Sequence, residues 1–160
     1  MNSTIKKISS ILLVIGLILF NACSNNDGLG FEPEPEPEPV EKTDEPPVWN
    51  ISQNQTNYEF NMTYSSQIAF NGKTSANTAT MISAFVGNEC RGISKLIHEQ
   101  GINIYIFNLT IYSNEPSGEN ITIRAYDPDK KILYNKCISF KFESDDVKGS
   151  IDDILNCISE

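Results

Sequence analysis

The stretch Ile82-Ser-Ala-Phe-Val-Gly-Asn-Glu-Cys-Arg-Gly-Ile93 constrains this chain more than any other. Two apolar half-strands flank Gly87-Asn88, a dipeptide that tolerates the positive φ angles of a two-residue hairpin turn. A tight hairpin commits its neighbours to a sheet, and the flanking sequence keeps the same period. Tyr58, Phe60, Met62, Tyr64, Ile68 and Phe70 share parity, as on the buried face of one long or bulged strand. Residues 71–77 read as a loop, and the hairpin arms span about 79–86 and 89–97. Ile102–Tyr112 is apolar on both faces at its centre, which suits a central strand. Ile121, Ile123 and Ala125 alternate with Thr122, Arg124 and Tyr126, the pattern of a half-exposed strand. Asp127-Pro-Asp-Lys130 makes a turn, after which Ile132, Tyr134, Ile138, Phe140 and Phe142 fall on one face. About six or seven short strands at this spacing predict an all-β fold, an immunoglobulin-like β-sandwich over residues 47–160. For the tail two alternatives stand: Ser150-Ile-Asp-Asp153 caps a short helix, or Ile154–Ile158 is a last strand.

What precedes the domain reads as delivery. Lys6 and Lys7 supply a positive start, and Ile11–Phe20 is an apolar run too short for a membrane anchor but suited to an export signal over residues 1–22. Ala22-Cys23 follows at once. A small residue before a cysteine in this place resembles the lipobox of bacterial lipoproteins. The resemblance implies an acylated Cys23 and a membrane partner held through lipid chains alone; an ordinary signal peptide with a chance cysteine is the alternative. Residues 23–46 read as a tether. Glu32-Pro-Glu-Pro-Glu-Pro-Glu-Pro39 excludes helix and sheet ladders, favours an extended polyproline conformation, and its like charges stretch it further. Such a tract also suits aromatic grooves as a ligand, but a stiff spacer is the preferred reading.

The chain has a formal net charge of −9, which becomes −11 once Lys6 and Lys7 leave with the signal. The tether from Cys23 to Pro46 holds eight acids against Lys42, so the domain itself carries −4. A mildly acidic domain with no basic stripe excludes nucleic acid as an expected partner.

Asn61-Met62-Thr63, Ala84–Gly92, Ile106–Tyr112, Ile123–Asp127 and the late Val147–Ser150 together resemble a module recurring in secreted and surface proteins of the Bacteroidetes. That resemblance covers nearly the whole domain. It implies an extracellular β-rich module, and with the lipobox it implies an outer membrane lipoprotein exposed at the cell surface. It implies no activity.

The residues themselves argue against catalysis. His98 is the single histidine, so neither a histidine cluster for zinc nor a second base for a relay is available. A Cys90–His98 nucleophile pair is the one conceivable arrangement, set against a sheet-edge histidine beside a structural cysteine. Ser83 and Ser94 lack the glycines of a nucleophile elbow. Asp145, Asp146, Asp152 and Asp153 offer oxygen ligands without the spacing of a calcium loop, so no metal and no cofactor are expected. Cys90 belongs to the motif that carries the resemblance, which implies a small buried residue. Cys137 stands at odd parity on a strand whose even positions are apolar and so faces away from the core, where a tail folded back would bring Cys157 to it in a disulfide. Arg91 then projects outward or pairs with an acid. Aromatic faces beside planar polar groups suit sugar or peptide surfaces, which makes Trp49, Arg91, Tyr112, Arg124 and Tyr126 the candidate ligand-binding residues. Core packing is the competing role for each, and for Trp49 above all. The expected function is a non-enzymatic binding or adhesion module, with glycan binding or a purely structural interaction as alternatives.

Overall fold

A computed structural model describes residues 40–159. The expected signal segment 1–22, the acylation site Cys23 and the Glu32–Pro39 repeat lie outside the described residues. The domain is an all-β sandwich of two packed sheets. Its strands are β1 Val40–Lys42, β2 Phe60–Phe70, β3 Lys73–Thr74, β4 Met81–Val86, β5 Glu89–Lys95, β6 Ile97–Glu99, β7 Ile104–Ser113, β8 Ser117–Asp127, β9 Ile132–Glu143, β10 Val147–Lys148 and β11 Ile154–Cys157. The first sheet runs β1-β9-β8-β4-β5, antiparallel throughout. The second is built on β2, which pairs with β7 on one side and with β10 and β11 on the other, and β6 closes it beyond β7. Only β10 and β11 lie parallel to their neighbour.

Period-two burial makes the core. Met62, Tyr64, Ile68 and Phe70 of β2 and Phe107, Leu109 and Ile111 of β7 face Ile82 and Ala84 of β4, Ile121, Ile123 and Ala125 of β8, and Tyr134 and Phe142 of β9. Phe70 stacks on Tyr134 at 5.1 Å, and Tyr64 meets Phe140 at 5.3 Å, so aromatic contacts cross between the layers. Ser66 shares the buried parity of β2. Its hydroxyl donates to the Asp153 carbonyl at 2.8 Å and accepts from the Leu155 amide at 3.1 Å. A polar side chain on the buried face is thus satisfied by the incoming tail.

The tail resolves as strand. Leu155 and Cys157 are buried while Ile154 and Asn156 are exposed, and Ser150–Asp153 is a turn rather than a capped helix. Cys157 bonds to Cys137 with the Cα atoms 4.5 Å apart, which ties β11 of one sheet to β9 of the other. Cys90 is free and buried. The face expected for Cys137 needs correction: it packs against the core rather than away from it. Between the pairs Tyr134↔Ala125 and Ile138↔Ile123, β9 takes four residue steps where β8 takes two. Cys137 falls in the unpaired stretch between these pairs, where alternation does not fix the face, and Ile138, expected inside, is 38% exposed. The domain boundary also moves. Val40–Lys42, assigned to the tether from its composition, pairs with Tyr134, Leu133 and Ile132 of β9, and Val40 packs against the core.

The hairpin forms with Gly87 alone at positive φ (57°), as at the first position of a type II′ turn, while Asn88 stays on the ordinary side. Two further features of β5 position the site. The register shifts between Ala84↔Gly92 and Phe85↔Cys90, which leaves Arg91 as the extra, bulged residue. Gly92 then faces β7 so closely that a Cβ would collide with the Thr110 carbonyl oxygen. Glycine at 92 is what lets β5 lean onto β7, where Ser94 Oγ donates to the Asn108 carbonyl at 2.9 Å.

Candidate functional site

Strands β4 and β8 lie inside their sheet, each paired on both edges. Their outer face therefore offers side chains, not backbone. On it stand Ser83 and Phe85 of β4, Cys90 of β5, and Thr122 and Arg124 of β8, since cross-strand partners share a face. The guanidinium of Arg124 lies over the Phe85 ring, 4.0 Å from its centroid. Trp49 meets the same ring edge-on at 6.2 Å and 76°. The segment carrying Trp49 is held down where the Ser52 amide donates to the Cys90 carbonyl at 3.1 Å. Phe85 is thus covered from two sides, by a cation and by an indole.

Arg124 has little polar support. Its Nη2 donates to the Gly87 carbonyl at 3.3 Å, its Nε is buried without an acceptor, and no carboxylate pairs with it among the described residues. Burial pulls its pKa down from the ordinary value, with a smaller upward effect from Cys90. Cys90 itself rests against Ser83 Oγ at 3.2 Å, and that hydroxyl donates to the Gly92 carbonyl at 2.8 Å. The thiol and serine form a closed, satisfied pair under the platform.

Arg91 is placed quite differently. The bulge aims it at the end of β7, where it is only 8% exposed. Nη2 meets Glu89 Oε2 and Glu119 Oε1, both at 3.1 Å, and Nη1 donates to the Tyr112 carbonyl at 3.2 Å. Its guanidinium carbon stands 5.3 Å from the centre of the Tyr58 ring, which stacks on Tyr112 at 5.8 Å. The Tyr58 hydroxyl donates to Glu89 Oε1 at 3.2 Å, and Ser113 Oγ donates to Glu119. Burial first, then the neighbouring Glu89 charge, raises the Tyr58 pKa. This network spends every charge internally.

Of the residues singled out in the sequence, Trp49 and Arg124 come together on Phe85, while Arg91 and Tyr112 come together elsewhere, around Tyr58 and Glu119. Tyr126 joins neither. It sits at outward parity as expected, yet it is 2% exposed, which removes it as a ligand-stacking residue. Parity gives the face of a sheet but not whether that face is covered. Phe85, itself buried, was missed as the ring on which Trp49 and Arg124 rest. Its signal was the apolar run Ile82–Val86, which puts a large ring opposite the core-facing Ile82 and Ala84 and so demands cover on both faces.

No Cys90–His98 pair forms. His98 stacks on Tyr105 at 4.4 Å, and its Nε2 lies 3.0 Å from Asn103 Oδ1. Among the described residues no three His, Cys, Asp or Glu side chains are grouped to hold a metal ion. Asp127, buried, accepts from the Asp129 and Lys130 amides and shapes the β8–β9 turn. That turn and the loop after β3 enclose an open cleft of about 530 Å³, lined by Phe70, Ser75, Asn77, Asp127, Asp129 and Lys130 among others. It lies at the end of β4 away from the hairpin turn, and its facing charges are both basic and acidic. Among the described residues no helix is long and apolar enough to cross a membrane.

No family model, no curated protein and no solved structure matches this chain.

Proposed function

We propose that this chain is a non-enzymatic recognition module, tethered at the bacterial surface through an acylated Cys23, that binds glycans on the outer face of its hairpin sheet. The observation that carries the reading is the Trp49–Phe85–Arg124 assembly. A cation and an indole gathered over β4 and β8, two strands paired on both edges, suit stacking and hydrogen bonding to a sugar ring. A protein ligand is the second reading, favoured by the exposed Ile97 and Ile102 around the short edge strand β6.

A glycan array probed with the soluble mature chain tests the first reading. Retention on glycan spots should fall in Trp49→Ala while the melting temperature drops only modestly. Equal retention by the variant, or none by the wild type, contradicts it. For the anchor, metabolic labelling with an acyl probe should mark the wild type and not Cys23→Ala; equal labelling of both rejects lipidation.

A further inference from the structure

We infer that Arg124 is the seat of a ligand carboxylate, so that the sugars this face takes are acidic ones, of the uronate or sialate class. The inference rests on the glycan-binding reading and adds the ligand's charge to it.

The two arginines of the domain set the argument. Arg91 meets two carboxylates and a carbonyl. Arg124, in a domain where acids outnumber bases, has no carboxylate and only one carbonyl, the Gly87 oxygen. Glu89 and Glu119, which stand nearest the hairpin in sequence and topology, are both engaged by Arg91. A cation held over an aromatic ring is positioned by that ring, but its charge is not neutralised. Arg124 is half-buried, and its Nη1 makes no hydrogen bond among the described residues. A carboxylate arriving there gains a charge-assisted hydrogen bond from a guanidinium whose rotamer is already fixed by Phe85.

The surroundings favour a sugar over an acidic peptide. Peptide strands dock by adding to a free sheet edge, and both β4 and β8 are paired on both sides here. A pyranose carrying a carboxylate asks only for an aromatic neighbour and a planar donor, and Trp49 and Arg124 flank one ring at 6.2 Å and 4.0 Å.

The test uses the soluble mature chain on an array of carboxylated glycans, each printed beside its carboxyl-reduced neutral counterpart, together with acidic peptides. The wild type should hold carboxylated forms about ten- to a hundredfold more tightly than the reduced ones, the size of one hydrogen bond to a charged group. R124Q should erase that difference, so that it holds carboxylated and reduced forms alike, and R124K should restore part of it. Equal affinity for both forms overturns this inference and leaves glycan binding standing. Retention of acidic peptides alone overturns it in favour of a protein ligand. Retention of no glycan at all overturns it together with the reading it rests on. The wild-type comparison needs no variant, so a misfolded R124Q does not blunt the result.

Discussion

Arg91 and Arg124 stand two strands apart on one sheet and have opposite surroundings. Arg91 is swung by a bulge into a buried pocket, where two glutamates offset its charge, a carbonyl and a tyrosine ring add to the hold, and only Nε is left without an acceptor. Arg124 pairs in register with Ser83 on the β4 side and lies opposite the β9 irregularity on the other; it rests on one phenylalanine and keeps a guanidinium without an acidic partner. A compensated buried cation is a structural member, because removing it strands its partners. An uncompensated one on a ring adds little to stability and is free to meet a ligand. The difference separates what holds this domain together from what it presents.

The largest effect expected from this contrast is at Arg91. Arg91→Met leaves Glu89 and Glu119 close together without a counter-charge, and their side chains are only 34% and 18% exposed. Denaturant unfolding should show a loss of about 3–4 kcal/mol, the lower part of the range for a broken buried pair. Ligand retention per folded molecule should stay as in the wild type. A loss under about 1 kcal/mol would remove the structural half of the comparison.

Next comes the staple. The Cys137–Cys157 bond closes a sequence separation of 20 residues, and the Cys137→Ala, Cys157→Ala double variant should lose about 3 kcal/mol. Peptide mapping without reductant should recover that pair with Cys90 free. Cys137 lies in the stretch of β9 opposite Arg124 of β8, but it packs on the core side of the sheet, away from the outer face, so binding should survive; lost binding would mean that the platform depends on the tail.

Alkaline pH gives a smaller effect. Tyr58, Tyr64 and Tyr134 all have pKa values raised above 10.0, chiefly by burial, so each holds its proton more firmly folded than unfolded. Stability from these groups is complete below pH 10.0, the unfolded value, and is lost as pH rises from there through the raised folded values. Tyr58→Phe should remove one share of that loss. An unfolding midpoint in denaturant that stays flat above pH 10.0 would contradict the burial argument.

Arg124→Gln should be the quietest substitution for stability, within about 1 kcal/mol, because a cation–π contact is given up together with the burial of an unpaired charge. A loss like that of Arg91→Met would make Arg124 structural.

Much of this arrangement was legible because strand periodicity is local. The β2 parity from Met62 to Phe70, the alternation of Ile121, Ile123 and Ala125, and the Gly87-Asn88 turn each appear in a few adjacent residues. What could not be read depended on pairing between distant segments. The two-step excess of β9 over β8 leaves Cys137 in an unpaired stretch whose face alternation does not set, and the bulge at Arg91 redirects a side chain. β1 is too short to show a period and lies among prolines and acids. Tyr126 and Phe85 show the same limit for the site: their parity was visible in the sequence, but their cover is set by tertiary packing.

The central claim is that Arg124, and not Arg91, is the cation offered to a ligand. Because the chain has only these two arginines, an amide-type NMR spectrum of its arginine Nε–H groups holds one signal for each. Titration with a carboxylated glycan retained on the array should shift the Arg124 signal progressively and leave that of Arg91, locked between Glu89 and Glu119, in place. A shift of the Arg91 signal with Arg124 unmoved would contradict the account.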